Sequence, residues 1–210
     1  MLIKLASLAA MALLTIAPHD PLPDLQVGAA LPVPDQKMKD VTGKELTLKE
    51  LIGRNGLLVV FSCNTCPFVI GSEGSEGWEG RYPELAAFSQ RMGVGVALVN
   101  SNEAKRADGD GFADMQQHYK EKSYGGAYLL DVGNVVADAF GARTTPHVFL
   151  FDKNGKLAYK GAIDDSVGSA AGVKEPWVHN AISNMAEGKA IDPTVTRNIG
   201  CSIKRAPHTH

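Results

Sequence analysis

The stretch that most constrains this chain is LLVVFSCNTCPF, residues 57–68. Leu57 to Phe61 form an apolar run without polar alternation, the pattern of a strand buried on both faces. Cys63, Cys66 and Pro67 follow at once. Proline suits the first turn of a helix, where its missing amide hydrogen has no intrahelical partner to lose. The segment therefore predicts a strand-to-helix junction that carries a CxxC. Three residues apart on a first helical turn, two sulfurs share a face and can bond. Unpaired amides and a partial positive charge at a helix start stabilise a thiolate and lower a thiol pKa. Cys63, nearest the end, is then expected to be the more exposed nucleophile. Cys66, one turn in and beneath it, is expected to resolve a mixed disulfide. Asn64 and Thr65 between them are uncharged and do not fix a reduction potential.

Strands and helices alternate downstream. Residues 38–51 contain a turn at Thr42-Gly43 and a short helix capped by Thr47 with Glu50 as its capping-box partner. After Pro67, Gly71, Gly74, Gly77 and Gly80 break the helical pattern, since each glycine costs about 1 kcal/mol in a helix interior. A short helix, a solvated Ser-Glu-Gly loop and a helix from Pro83 to Arg91 are predicted. Val94 to Asn100 is a second buried strand, and residues 111–122 place Phe112, Met115 and Tyr119 on one helical face. AYLLD is a third strand, and Val135 to Phe140 a short helix ended by Gly141. PHVFLFDKNGKLAYKGAI is a hairpin turning at Asn154-Gly155. Val173 to Glu187 forms a last helix. This order predicts one α/β domain with a mixed central sheet flanked by helices, its alternating strands parallel and its closing β-hairpin antiparallel at one side, and a C-terminal helix. Its bounds are 36–191, preceded by a Pro- and Asp-rich linker at 18–35 and followed by a polar tail at 192–210.

The first 17 residues hold Lys4 and an apolar stretch from Leu5 to Ala17, the length of a signal-peptide core and short of the roughly 20 residues that span a bilayer. Pro18 makes a poor cleavage site after Thr15-Ile16-Ala17, so an uncleaved membrane tether stays open beside a cleaved signal. The chain is expected outside the cytoplasm, periplasmic or tethered on the outer side, where a disulfide persists. Three cysteines are too few and too odd a number for a disulfide scaffold, which leaves at least two of them functional. With a formal net charge of −2 and no long basic run, nothing points to nucleic acid.

A second element, ARTTPHVFLF, sets Thr145-Pro146 between a short helix and a strand. The run LLVVFSCNTCP, this TTPHVFLFD segment and the LAYKGAIDD arm together resemble the thioredoxin superfamily. More narrowly they resemble the redoxins of the alkyl hydroperoxide reductase/thiol-specific antioxidant group and TlpA-like thiol–disulfide oxidoreductases. The ending GCSIK is similar to a subset of these proteins with a CN-x-CP site and a late Gly-Cys. The resemblance covers roughly residues 26–204 and implies a thioredoxin-like fold. It implies Cys63 as nucleophile, Cys66 as resolving thiol, and Pro146 as a cis-proline beside them, with Thr145 shaping a groove that pairs with extended substrate backbone. It implies no cofactor beyond the redox-active Cys63–Cys66 disulfide. The partners are protein disulfides or dithiols and an upstream thiol reductant or oxidant. One departure is the lack of any carboxylate in residues 57–61, where thioredoxins bury an Asp, so the proton acceptor for Cys66 is not identified.

Two rival chemistries stand beside this one. Peroxiredoxins use P-x-x-x-[TS]-x-x-C, and no proline precedes Cys63 or Cys66 at that spacing. A metal site of Cys63, Cys66 and His147 would suit Cu(I) or Zn(II), although copper chaperones of the Sco type space their cysteines one residue further apart. Cys201 is either a relay thiol that exchanges with the Cys63–Cys66 pair or a free thiol in a loose tail. Asp164-Asp165 is expected as a polar strand end, Trp78 and Trp177 as packing residues, and His118 and His179 as residues without chemistry. His208 and His210 are a weak metal signal.

Overall fold

The computed structural model describes residues 22–206, so the apolar N-terminal segment and the terminal histidines lie outside the described residues. Among the described residues no helix is long and apolar enough to cross a membrane. The chain runs β1 (Met38–Asp40), β2 (Glu45–Leu46), β3 (Gly56–Ser62), α1 (Pro67–Ile70), α2 (Tyr82–Arg91), β4 (Val94–Asn100), α3 (Phe112–Glu121) and β5 (Ala127–Leu130). It continues through α4 (Val135–Phe140), β6 (Thr144–Thr145), β7 (His147–Asp152), β8 (Leu157–Gly161), α5 (Trp177–Ala186) and β9 (Cys201–Ser202). Seven strands form one mixed sheet in the order β2-β1-β5-β4-β3-β7-β8. β3, β4 and β5 are parallel, and β7 closes antiparallel onto β3 with Phe61 opposite His147.

All seven residues of β3 are buried, as its unalternating apolar run requires. Its side chains divide between two layers. Leu57, Val59 and Phe61 pack with Phe140, Phe149 and Phe151, where Phe61 meets Phe140 and Phe149 edge-on at 5.2 and 5.7 Å. Leu58 and Val60 face the layer of α2 and α5, with Tyr82, Leu85, Val178 and Ile182, and this is the layer that holds Cys63 and Cys66. Each such side chain contributes roughly 1.5–3 kcal/mol by leaving water. The hairpin turns at Asn154-Gly155, with Gly155 at φ 69° and Asp152 Oδ1 accepting from the amides of Asn154 and Lys156.

Several elements differ from expectation. Residues 24–31, read as linker, dock on the hairpin: Gly28 N donates to Leu157 O, Leu31 N donates to Gly155 O, and Leu31 is buried. The last helix starts at Trp177 instead of Val173, because a residue preceding proline, here Glu175, is biased out of the helical region. Thr47 and Glu50 do exchange capping bonds, at 2.8 and 3.3 Å, over a single 3-10 turn. Asp164, expected simply as a polar strand end, is buried between Trp78 Nε1 at 2.8 Å and the Arg81 guanidinium at 2.8 Å.

The glycine-broken segment is not simply a solvated loop. Gly71 and Gly77 adopt positive φ, and a Cβ on Gly77 would meet Val69 O at 2.4 Å. The folded-back chain buries Glu79, whose carboxylate accepts from Tyr124 Oη at 2.9 Å and lies 2.7 Å from both His118 Nε2 and Lys122 Nζ. Burial pushes its carboxyl up, but the bonds to His118, Lys122 and Tyr124 outweigh this and hold it below its ordinary value. Its contribution to stability is then present above the unfolded carboxylate value and is lost as pH falls through the lower folded one. Glu79→Gln is expected to cost about 1–3 kcal/mol at neutral pH. In chemical denaturation, the gap to the wild type should narrow as pH drops below about 4.

Candidate active site

Ser62 of β3 pairs with Asn100 of parallel β4, so both strands deliver their carboxyl ends to one side of the sheet. The CxxC crosses there, and Asp110 fixes its path. This buried carboxylate accepts from Asn64 N at 2.7 Å, Thr65 Oγ1 at 2.7 Å, Asn100 Nδ2 at 2.8 Å and Asn102 Nδ2 at 3.0 Å. Asn64 is further held by Gly109 O, to which its Nδ2 donates, and by Tyr128 Oη, which donates to its Oδ1. Arg106 closes the network by donating to Asn100 Oδ1 and to the Asp110 backbone carbonyl, both at 2.8 Å. A carboxylate offers about four lone-pair positions. All are taken here, so Asp110 holds the loop that carries the pair in one path.

This anchoring changes the expected helix start and the exposure order. Asn64 and Thr65 are drawn toward the loop before α3, and the backbone at Cys66 is still extended (φ −85°, ψ 125°). Cys66 is thus the N-cap of α1, its carbonyl accepting from Val69 N and Ile70 N, and Pro67 is the first helical residue. Cys63 lies before the helix and is fully enclosed, while Cys66 keeps 3% of its surface. The expectation of an exposed Cys63 above a buried Cys66 is corrected accordingly.

Thr145 joins the two sulfurs. Its Oγ1 lies 3.2 Å from Cys63 Sγ, and its carbonyl oxygen accepts from Cys66 Sγ at 3.2 Å. The Thr145–Pro146 peptide bond is cis. The groove edge at Thr145 is already paired: β9 runs antiparallel to β6, with Thr145 opposite Cys201 and Thr144 opposite Ser202. The tail is therefore not loose, and Cys201 packs against the layer that contains Cys63 and Cys66.

The two thiols of the pair are pushed in opposite directions. Bonding to Cys66, burial and the Asp110 charge all drive Cys63 upward. The bond from Cys63 draws Cys66 well below the ordinary thiol range, helped by the Cys201 thiol and amide and by Thr145, against the opposing effect of burial. Of the two thiols, Cys66 is the one drawn toward ionisation and Cys63 the one held back from it. Alkylation of the reduced protein with iodoacetamide is expected to label Cys66 before Cys63. The rate should persist well below the pH near 8.5 at which a free thiol loses half its reactivity. Peptide mapping across pH 5–9 checks both points.

His147 does not join the cysteines. Adjacent strand residues face opposite sides. Val148 packs in the Cys63 layer, whereas the His147 ring lies 4.4 Å from Phe149 in the other. Burial, with Lys160 and Arg143 nearby, lowers its pKa to about 4, so it is neutral at pH 7. The set of Cys63, Cys66 and His147 is not assembled, and among the described residues no three His, Cys, Asp or Glu side chains are placed to hold a metal ion. His118 bonds Glu79 and His179 bonds Glu84. The residue that sequence reasoning missed is Asp110. Its one visible signal was a carboxylate between two glycines just ahead of a helix.

Residues 29–160 match the model of the AhpC/TSA family. No curated protein matches the chain. Among solved structures, the hypothetical protein SMc02350 from Sinorhizobium meliloti 1021 is similar at 29% identity, over 88% of this chain and 97% of that one, with a TM-score of 0.77. An uncharacterized conserved protein from Geobacillus kaustophilus is similar at 26% identity, over 90% and 96%, with a TM-score of 0.75. Peroxidoxin BcpB from Mycobacterium tuberculosis shares the fold at 13% identity, over 79% and 99%, with a TM-score of 0.53.

Proposed function

The chain belongs to the AhpC/TSA family, and on that premise we propose that it is a thiol–disulfide oxidoreductase working through the dithiol of Cys63 and Cys66. The observation that carries this reading is the placement of both sulfurs 3.2 Å from the same threonine, Thr145, which holds them side by side. Cys66 thiolate attacks one sulfur of a partner disulfide, and the other partner sulfur leaves as a thiolate. Cys63 then gives up its proton and attacks Cys66 Sγ, releasing the second partner thiolate. Two electrons pass to the partner, and a Cys63–Cys66 disulfide remains for an upstream thiol reductant to reopen. The reverse sequence oxidises a partner dithiol. Asp110 opposes ionisation of Cys63 and so keeps the two thiols in separate roles until the mixed disulfide removes the charge on Cys66. The substrates proposed are protein or small-molecule disulfides and dithiols, engaged beside Thr145 and Pro146. The apolar stretch from Leu5 to Ala17 supports an exported setting, cleaved or tethered.

Turnover of insulin disulfides and of a low-molecular-weight disulfide, measured beside turnover of hydrogen peroxide and an organic hydroperoxide, tests this reading. Disulfide turnover with the oxidised pair mapped to Cys63–Cys66 is expected. Rapid hydroperoxide turnover by a protein inert toward disulfides would instead make the chain a peroxidase. The residue seven before Cys66, where the peroxiredoxin motif places proline, is Val59.

A further inference from the structure

The C-terminal strand occupies the groove edge at which an extended partner would pair. β9 lies along β6, and Ile203 N extends the ladder by donating to Arg143 O at 3.0 Å. Gly200 makes the approach possible, since a Cβ there would fall 2.4 Å from the Thr145 carbonyl oxygen, the atom that also contacts Cys66 Sγ. The tail is anchored on both sides of Cys201. Upstream, Thr196 N donates to Lys160 O at 3.1 Å. Downstream, Ile203 is buried, Lys204 N donates to Asn102 Oδ1 at 2.9 Å, and Arg205 Nε donates to Asp138 Oδ1 at 2.7 Å. Asn102 is also a donor to Asp110, so one side chain ties the tail to the carboxylate that shapes the CxxC. Terminal segments are poorly ordered unless held, and this one is held so that a cysteine faces the pair.

We propose that Cys201 is a third redox thiol of this site and forms a disulfide with Cys66. The proposal rests on the disulfide-exchange reading of Cys66 given above. In the oxidised pair, Cys201 loses its proton and its sulfur attacks Cys66 Sγ. The Cys66–Cys201 bond forms, the Cys63–Cys66 bond breaks, and Cys63 leaves as a thiolate that takes up a proton. No external oxidant is consumed, because the disulfide only moves within the chain. The same attack on a Cys66–partner mixed disulfide releases the partner as a thiolate. Once linked, the tail covers the groove edge by a covalent bond, and an incoming partner thiol must reopen it.

The test uses the full chain carrying Cys63→Ser, reduced and then exposed to oxidised glutathione. Cys66 attack releases one equivalent of glutathione, and closure by Cys201 releases a second together with a Cys66–Cys201 peptide seen by mass spectrometry. The double variant Cys63→Ser, Cys201→Ser should stop at the glutathionylated Cys66. Gly200→Val, added to Cys63→Ser, should slow the second release by on the order of tenfold or more, the scale of a reaction that depends on held geometry. A Cys63→Ser protein that retains glutathione on Cys66 with Cys201 free to alkylate would overturn the third-thiol role and leave the exchange reading standing. Unslowed closure in the Gly200→Val protein would overturn delivery by the paired strand. Failure of wild type and variants alike to react with glutathione disulfide would overturn the exchange reading itself.

Discussion

Cys66→Ser is expected to lower disulfide turnover by on the order of a thousandfold or more, to the rate of the uncatalysed exchange, because it removes the thiol that the site draws toward ionisation. Cys63→Ser should behave differently. It keeps the first attack and loses the thiol that completes the pair, so a partner stays attached to Cys66 or is passed to the tail. The contrast reverses the assignment read from spacing alone, in which Cys63 attacks first. Single-turnover kinetics with each variant checks it. A Cys63→Ser protein that forms no mixed disulfide, beside a Cys66→Ser protein that does, would restore the sequence-based order.

The second large effect is expected at Asp110. Asp110→Ala leaves Asn64 N, Thr65 Oγ1, Asn100 Nδ2 and Asn102 Nδ2 without their shared acceptor. Leaving these buried donors unsatisfied costs about 1–3 kcal/mol, or on the order of 5 °C in melting temperature for a domain of this size. The substitution also frees the loop that encloses Cys63 and removes a charge that opposes its ionisation. Alkylation should then label Cys63 and Cys66 at more nearly equal rates. Calorimetry reads the first effect and peptide mapping the second. Unchanged melting with unchanged labelling would mean that the loop holds its shape without this carboxylate.

The parts of this protein that were legible in the sequence are those governed by local pattern. The apolar run of residues 57–61 announces a strand buried on two faces, and Asn154-Gly155 announces a hairpin, because each signal is confined to a few neighbouring residues. The alternation of strands and helices after the CxxC then leads to the mixed sheet. What escaped is non-local. Asp110 acts on Asn64 from 46 residues away, and nothing around Gly109-Asp110-Gly111 points toward the cysteines. Glu79 sits in a run whose glycines and charges resemble a hydrated loop, yet those glycines let the chain fold back and bury it. β9 has two residues, too few for any periodicity, and its pairing depends on the bare backbone at Gly200. His147 was within reach of pattern reasoning: Val148 continues the alternation that places its neighbour on the far face of the sheet.

The most direct test of the central claim is a redox titration of the Cys201→Ser protein in glutathione buffers, followed by mass spectrometry of the alkylated chain. The expected result is a single two-electron transition in which Cys63 and Cys66 become protected together as an internal disulfide. Both cysteines remaining alkylatable across the whole buffer range, or Cys66 alone becoming modified, would contradict it.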